Sequence, residues 1–190
     1  MRIESRPHSA LAALVFGSLL ATACATPAEG EAAPRTRVSQ KHKQRQVGTP
    51  MPSIVVREFE GNRKIDLGAL RGKIVLVDIW ASWCAPCQEE MPMLDAMAAR
   101  LKKKGVEIIA VSVDEDRESA QAFLGKRSSW TLTVAHDPKG AVPEVLEPAK
   151  MPTSYVVDGQ GIIRYVNEGF ERGDIKSLEA RLTALAADSG

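Results

Sequence analysis

Cysteine is scarce in this chain: three residues in 190 are too few to staple a disulfide scaffold in place of a hydrophobic core. The odd count gives one of them a separate fate. An excess of charge of one sign is missing as well. The formal net charge is +1, so nothing in the overall balance points to a nucleic-acid partner. Histidine occurs only at His8, His42 and His136, which leaves a two-cysteine motif short of the ligands a structural zinc site requires. No internal repeat is evident, and no apolar run reaches the roughly 20 residues of a membrane-spanning helix. What the chain does have is 44% hydrophobic residues, enough for one ordinary globular core with appended segments.

The N-terminus supplies the first positive signal. Arg2 and Arg6 precede an uncharged, mostly apolar stretch from Ala10 to Ala21, which ends in the small residues Ala21-Thr22-Ala23. That order predicts an export signal over residues 1–23. Its removal takes away two Arg and one Glu and leaves the mature chain formally neutral. Residues 24–46 carry almost no large apolar side chain and are basic from Arg35 to Arg45; they read as a solvated tether. The folded domain is expected over residues 47–190.

Within that domain, Ile54-Val55-Val56 and Lys64-Ile65-Asp66 flank Gly61-Asn62 and predict a β-hairpin, with Asp66 capping a short helical turn through Leu70. Ile74 to Trp80 is a near-continuous apolar run, as a strand buried on both faces requires. Met93, Leu94, Met97 and Leu101 recur at helical spacing and predict a helix over Glu89 to Lys104, with Pro92 kinking it or marking a local irregularity. A strand over Val106 to Val113, a helix over Glu115 to Lys126 and a short strand over Thr131 to Ala135 follow. His136 is read as a loop residue before the Asp137–Gly140 turn, and a brief helix is expected near Val142 to Leu146. Strands over Ser154 to Val157 and Ile162 to Asn167 form a closing hairpin, and Asp174 caps a last helix to Ala187. Strands alternating with helices predict a single α/β domain with a parallel core and antiparallel additions.

Trp83-Cys84-Ala85-Pro86-Cys87 lies where the buried strand gives way to a helix. The first N–H groups of a helix are unpaired and aligned with its dipole, so they stabilise an anion such as a thiolate. Cys84, nearer the exposed end, is assigned as the attacking sulfur. Cys87, one turn further in, is placed to release a mixed disulfide. A purely structural disulfide at this spacing would close too short a loop to stabilise the fold much. Asp78 is a carboxyl inside an apolar strand, so its pKa should rise unless it is paired.

Val77 through Cys87 resembles the strand and active-site turn of the thioredoxin superfamily. The preceding hairpin, Gln88-Glu89-Glu90-Met91-Pro92, and Met151-Pro152-Thr153-Ser154-Tyr155-Val156-Val157-Asp158 resemble its TlpA/ResA branch. The resemblance implies a thioredoxin-like fold: a central mixed sheet flanked by helices, with an N-terminal β-hairpin. It implies an extracytoplasmic thiol–disulfide oxidoreductase acting on protein substrates, as a reductant in roles such as cytochrome c maturation. It further implies electrons from a membrane thiol reductase, and no cofactor beyond a redox-active Cys84–Cys87 disulfide.

Residue by residue, the resemblance makes Pro152 cis and packed on the disulfide, and Met151 the residue offering its backbone to the substrate. Trp83, Ala85 and Pro86 complete the candidate substrate-facing surface. Asp78 is implied to accept the Cys87 proton. Glu90 matches an acid that the family places close to the cysteine pair, where it either tunes the thiols or contacts the partner; it also fits as an ordinary first-turn acid favoured by the dipole. Leu19-Leu20-Ala21-Thr22-Ala23-Cys24 resembles a bacterial lipobox, which implies acylation of Cys24 and a lipid anchor on the periplasmic side of a membrane. Plain cleavage after Ala23 is the alternative. Two other functions compete: a copper chaperone using the cysteines with His136, since soft thiolates favour Cu(I), and a thiol peroxidase. The peroxiredoxin pattern Pro-x-x-x-Thr-x-x-Cys is absent, with Val77 in its proline position.

Overall fold

The computed structural model describes residues 46–188. The export signal, Cys24 and residues 24–45 of the tether lie outside the described residues. In chain order the strands and helices are β1 (Val55–Glu58), β2 (Lys64–Asp66), β3 (Ile74–Trp80), α1 (Ala85–Leu101), β4 (Val106–Ser112), α2 (Arg117–Leu124), β5 (Thr133–His136), α3 (Ala141–Leu146), β6 (Thr153–Val157), β7 (Ile163–Glu168) and α4 (Asp174–Asp188). They build one seven-stranded sheet in the order β2-β1-β5-β4-β3-β6-β7. β3, β4 and β5 run parallel, while β1, β2, β6 and β7 add antiparallel strands at the two sides. This is the mixed, helix-flanked sheet with an N-terminal hairpin that the resemblance implied.

Alternation along β3 divides the interior into two layers. Ile74, Leu76 and Trp80 pack with Met91, Leu94, Met97 and Leu101 of α1 and with Leu178 and Leu182 of α4. Val75, Val77 and Ile79 face the opposite layer, with Met51, Ile54, Val142, Leu146 and Tyr155. Every residue of β3 is buried. The strand therefore carries apolar side chains on both faces, and a polar one between them is conspicuous.

Three local expectations are corrected. The first helix begins at Ala85, four residues earlier than the apolar spacing indicated, because Pro86 sits in its first turn where a missing N–H costs nothing. Its buried face holds the expected Leu94, Met97 and Leu101 together with Met91, while Met93 is only half-buried. The helix also continues through Pro92. His136 is not a loop residue but the buried last residue of β5. Asp174 is the first residue of α4 rather than its cap, and its Oδ2 accepts from the N–H of Glu171 at 2.8 Å.

Candidate active site

The site forms at the C-terminal end of β3, where parallel α/β sheets leave a crevice. Cys84 takes the N-cap position of α1, and its sulfur accepts from the N–H of Cys87 at 3.3 Å. Cys84 and Cys87 are joined as a disulfide with their Cα atoms 5.2 Å apart. Cys84 is 6% exposed and Cys87 fully buried, so the outer sulfur is the one nearer solvent. Trp83, 68% exposed, stands beside it, and Ala85 and Pro86 are exposed on the same turn. A large apolar side chain in water next to a buried sulfur suits contact with another chain.

Met151 and Pro152 arrive from the opposite strand. Ile79 pairs with Thr153 in the antiparallel β3–β6 register, so Pro152, one step before, lies level with the end of β3. The Met151–Pro152 peptide bond is cis. Pro152 is buried, and half-buried Met151 packs against both core layers, including the one that holds the two cysteines. The two sequence motifs, about sixty residues apart in the chain, thus meet at one end of the sheet.

Behind the disulfide lie two carboxyls. Asp78 shares the face of β3 that carries Leu76 and Trp80, and it is fully buried. Its Oδ1 accepts from the hydroxyl of Ser154 at 2.8 Å, whereas Oδ2 has no hydrogen-bond partner. Burial pushes its pKa up to about 7, against the lowering effect of Ser154. Glu90 follows Cys87 by one turn of α1, which brings it to the same buried face. It is not a solvated first-turn acid: its Oε2 is buried without a partner. Burial first, then the charges of Asp78 and Asp174, push its pKa up to about 10. Two like carboxyls in one apolar layer do not both ionise, so the pair retains a proton at neutral pH.

His136 lies at the end of β5, beside the strand end that carries Asp114. Its Nε2 lies 2.8 Å from the carbonyl oxygen of Asp114, and its ring packs against Phe59 at 5.6 Å. Asp114, Ser82 and Gln88, which sequence reasoning passed over, brace the turn between β3 and Cys84. The only available signal was the position of Asp114 just beyond a parallel strand.

The profile of the Redoxin family matches residues 46–182. The chain belongs to the redoxin family. Over 121 residues it is 35% identical to thiol-disulfide oxidoreductase ResA of Bacillus thuringiensis subsp. konkukian (strain 97-27), an alignment that spans 64% of this chain and 69% of that relative. A candidate thiol:disulfide interchange protein DsbE from Chlorobium tepidum matches its fold with a TM-score of 0.68 at 33% identity, covering 74% of this chain and 97% of the other. MTB DsbF, solved in mixed oxidised and reduced forms, matches with a TM-score of 0.62 at 26% identity over 70% of this chain and 95% of its own. This redoxin is a thiol–disulfide oxidoreductase of the ResA and DsbE type with a thioredoxin-like fold.

Proposed function

We propose that this redoxin is an exported, lipid-anchored reductant of protein disulfides on the periplasmic side of a bacterial membrane. The observation that carries the proposal is the Cys84–Cys87 disulfide at the N-terminus of α1, with exposed Trp83 in front and buried Asp78 and Glu90 behind. In the reduced protein the thiolate of Cys84 attacks a client disulfide, and one client sulfur leaves as a thiol. Asp78 takes the proton of Cys87 as the Cys87 sulfur attacks Cys84, releasing the second client thiol and closing the Cys84–Cys87 disulfide. Protonated Glu90 keeps a second charge out of the layer while this happens. Trp83, Ala85, Pro86, Met151 and Pro152 form the surface on which the client chain lies.

An oxidising compartment does not return the two electrons, so a membrane thiol reductase supplies them. Clients that need reduced cysteines, such as apocytochromes c awaiting haem, fit this direction. Cys24, acylated after removal of residues 1–23, holds the domain near both partners through residues 24–46. The deciding measurement is the reduction potential of the Cys84–Cys87 pair, read by trapping free thiols in defined thiol–disulfide buffers. A value below about −220 mV is expected; one near about −120 mV marks a disulfide-forming oxidant and overturns the reductant reading.

A further inference from the structure

The turn that delivers Cys84 to its helix is gripped from outside the cysteine motif. The Ser82 N–H lies 3.1 and 3.0 Å from the two carboxylate oxygens of Asp114, and the Ser82 hydroxyl donates to Oδ1 at 2.7 Å. Ser112, the last residue of β4, donates its hydroxyl to Oδ2 at 2.8 Å and accepts from the Asp114 N–H at 3.1 Å. From the other side, Gln88 of α1 donates to the Ser82 carbonyl. The N–H, hydroxyl and carbonyl of Ser82 are therefore all engaged. Asp114 is itself only 2% exposed, and among the described residues it forms no ion pair with a lysine or arginine.

A buried carboxylate without a cation is costly unless several donors converge on it. Here the donors come from two chain segments. Trp80 and Ser112 are register partners at the ends of β3 and β4, the N–H of Val113 donates to the Trp80 carbonyl at 2.9 Å, and His136 at the end of β5 closes on the Asp114 carbonyl. Asp114 thus belongs to a rigid shelf made by three parallel strand ends. Only Trp83 separates Ser82 from Cys84, whose extended backbone (φ −88°, ψ 101°) points its sulfur at the N–H of Cys87. A shift of Ser82 passes directly into that contact.

We propose that Asp114 is a positioning residue for Cys84: by holding Ser82 it keeps the Cys84 sulfur against the first turn of α1, and so sets the thiolate fraction of the reduced protein. The inference rests on Cys84 being the attacking sulfur. It needs neither the client nor the direction of electron flow argued above.

The test is the pH dependence of Cys84 alkylation by iodoacetamide in the reduced protein, followed by peptide mass, for wild type, Asp114→Asn and Ser82→Ala. Asp78 and Glu90 are unchanged in all three, so their charges are common to the comparison. Position and charge predict opposite signs. If Asp114 acts by holding the turn, Asp114→Asn loses at least about three-fold of the thiolate at pH 7, and Ser82→Ala loses a smaller share in the same direction. If Asp114 acts only as a nearby negative charge, Asp114→Asn gains thiolate and Ser82→Ala changes nothing; that result overturns the proposal, as does an unchanged profile in both folded variants. Should Asp114→Asn fail to fold, Ser82→Ala decides alone, since it keeps the backbone N–H on the carboxylate. Cys84 alkylating no faster than Cys87 would overturn the attacking-sulfur assignment on which the inference rests. An oxidising potential would overturn the reductant reading and leave this result standing.

Discussion

Asp78 lies between Leu76 and Trp80 on one face of β3, in the layer that also holds Cys87 and Met91. A carboxyl there is best placed to act as a base for Cys87 if it titrates close to neutrality, and burial raises it to about 7. Replacing it as Asp78→Asn is expected to slow resolution of a trapped mixed disulfide at pH 7 by at least about ten-fold, measured by quenched-flow mass spectrometry. An unchanged rate sinks the role. Glu90 makes a prediction about stability. Both carboxyls have folded pKa values above the unfolded ones of about 3.9 and about 4.3, so protonation favours the fold. Their contribution is complete below about pH 4 and is lost as pH rises through about 7 for Asp78 and about 10 for Glu90. Urea midpoints should therefore fall across that window, and Glu90→Gln should flatten the alkaline part of the fall. Asp78 was legible in the sequence because a charge inside an apolar strand stands out. The burial of Glu90 was not, since an acid in a helix's first turn is ordinary, and only the earlier start of the helix puts Glu90 in its second turn on the buried face.

That start belongs to the scale of elements. Apolar spacing alone begins the first helix at Glu89, but Pro86 and the capping sulfur of Cys84 start it at Ala85, and the added turn brings Met91 into the core with the expected Leu94, Met97 and Leu101, while Met93 is only half-buried. Strands were read more faithfully, because β3 and β4 are long apolar runs buried on both faces and β6–β7 is signalled by a turn of Asp and Gly. For contacts between elements the sequence offers little: the Asp114 brace is hinted at only by the place of Asp114 just beyond a strand, since its partner Ser82 lies about thirty residues away. The same holds for Gly68, in the 3-10 turn (Leu67–Ala69) after β2. A Cβ there would come within 2.7 Å of the Ser53 nitrogen, 2.8 Å of the Pro52 carbonyl carbon and 2.9 Å of the Met51 oxygen, all of them backbone. Gly68→Ala must push the 51–54 segment off the sheet, lifting Met51 and Ile54 from their layer. A loss of about 1–3 kcal/mol is expected in urea unfolding. The reduction potential should stay at its wild-type value, because this segment packs on the layer away from the cysteines.

At the scale of the whole molecule, redox direction and folding stability are one quantity measured twice. The Cys84–Cys87 loop is too short to constrain the unfolded chain strongly, so the unfolded pair behaves as a flexible dithiol. Any difference in stability between the oxidised and reduced folds then appears as a displacement of the potential, about 30 mV for each roughly 1.4 kcal/mol. A fold that stabilises its reduced form makes the pair oxidising. Two features of this molecule act in opposite senses. The N-terminus of α1 favours a thiolate on Cys84 and so the reduced form. The layer behind it disfavours negative charge: Cys87 is fully buried, Asp78 and Glu90 have two oxygens without donors, and Asp174 adds its charge to theirs. One helix terminus contributes on the order of 1 kcal/mol, and a thiolate on Cys84 formed in front of a charged Asp78 loses more than that to like-charge repulsion in a low-dielectric layer. The oxidised fold should therefore be the more stable one. Urea unfolding at pH 7, with and without a phosphine reductant, should give the higher midpoint for the disulfide form. A higher midpoint for the dithiol form would make the pair an oxidant and reverse the proposed flow of electrons.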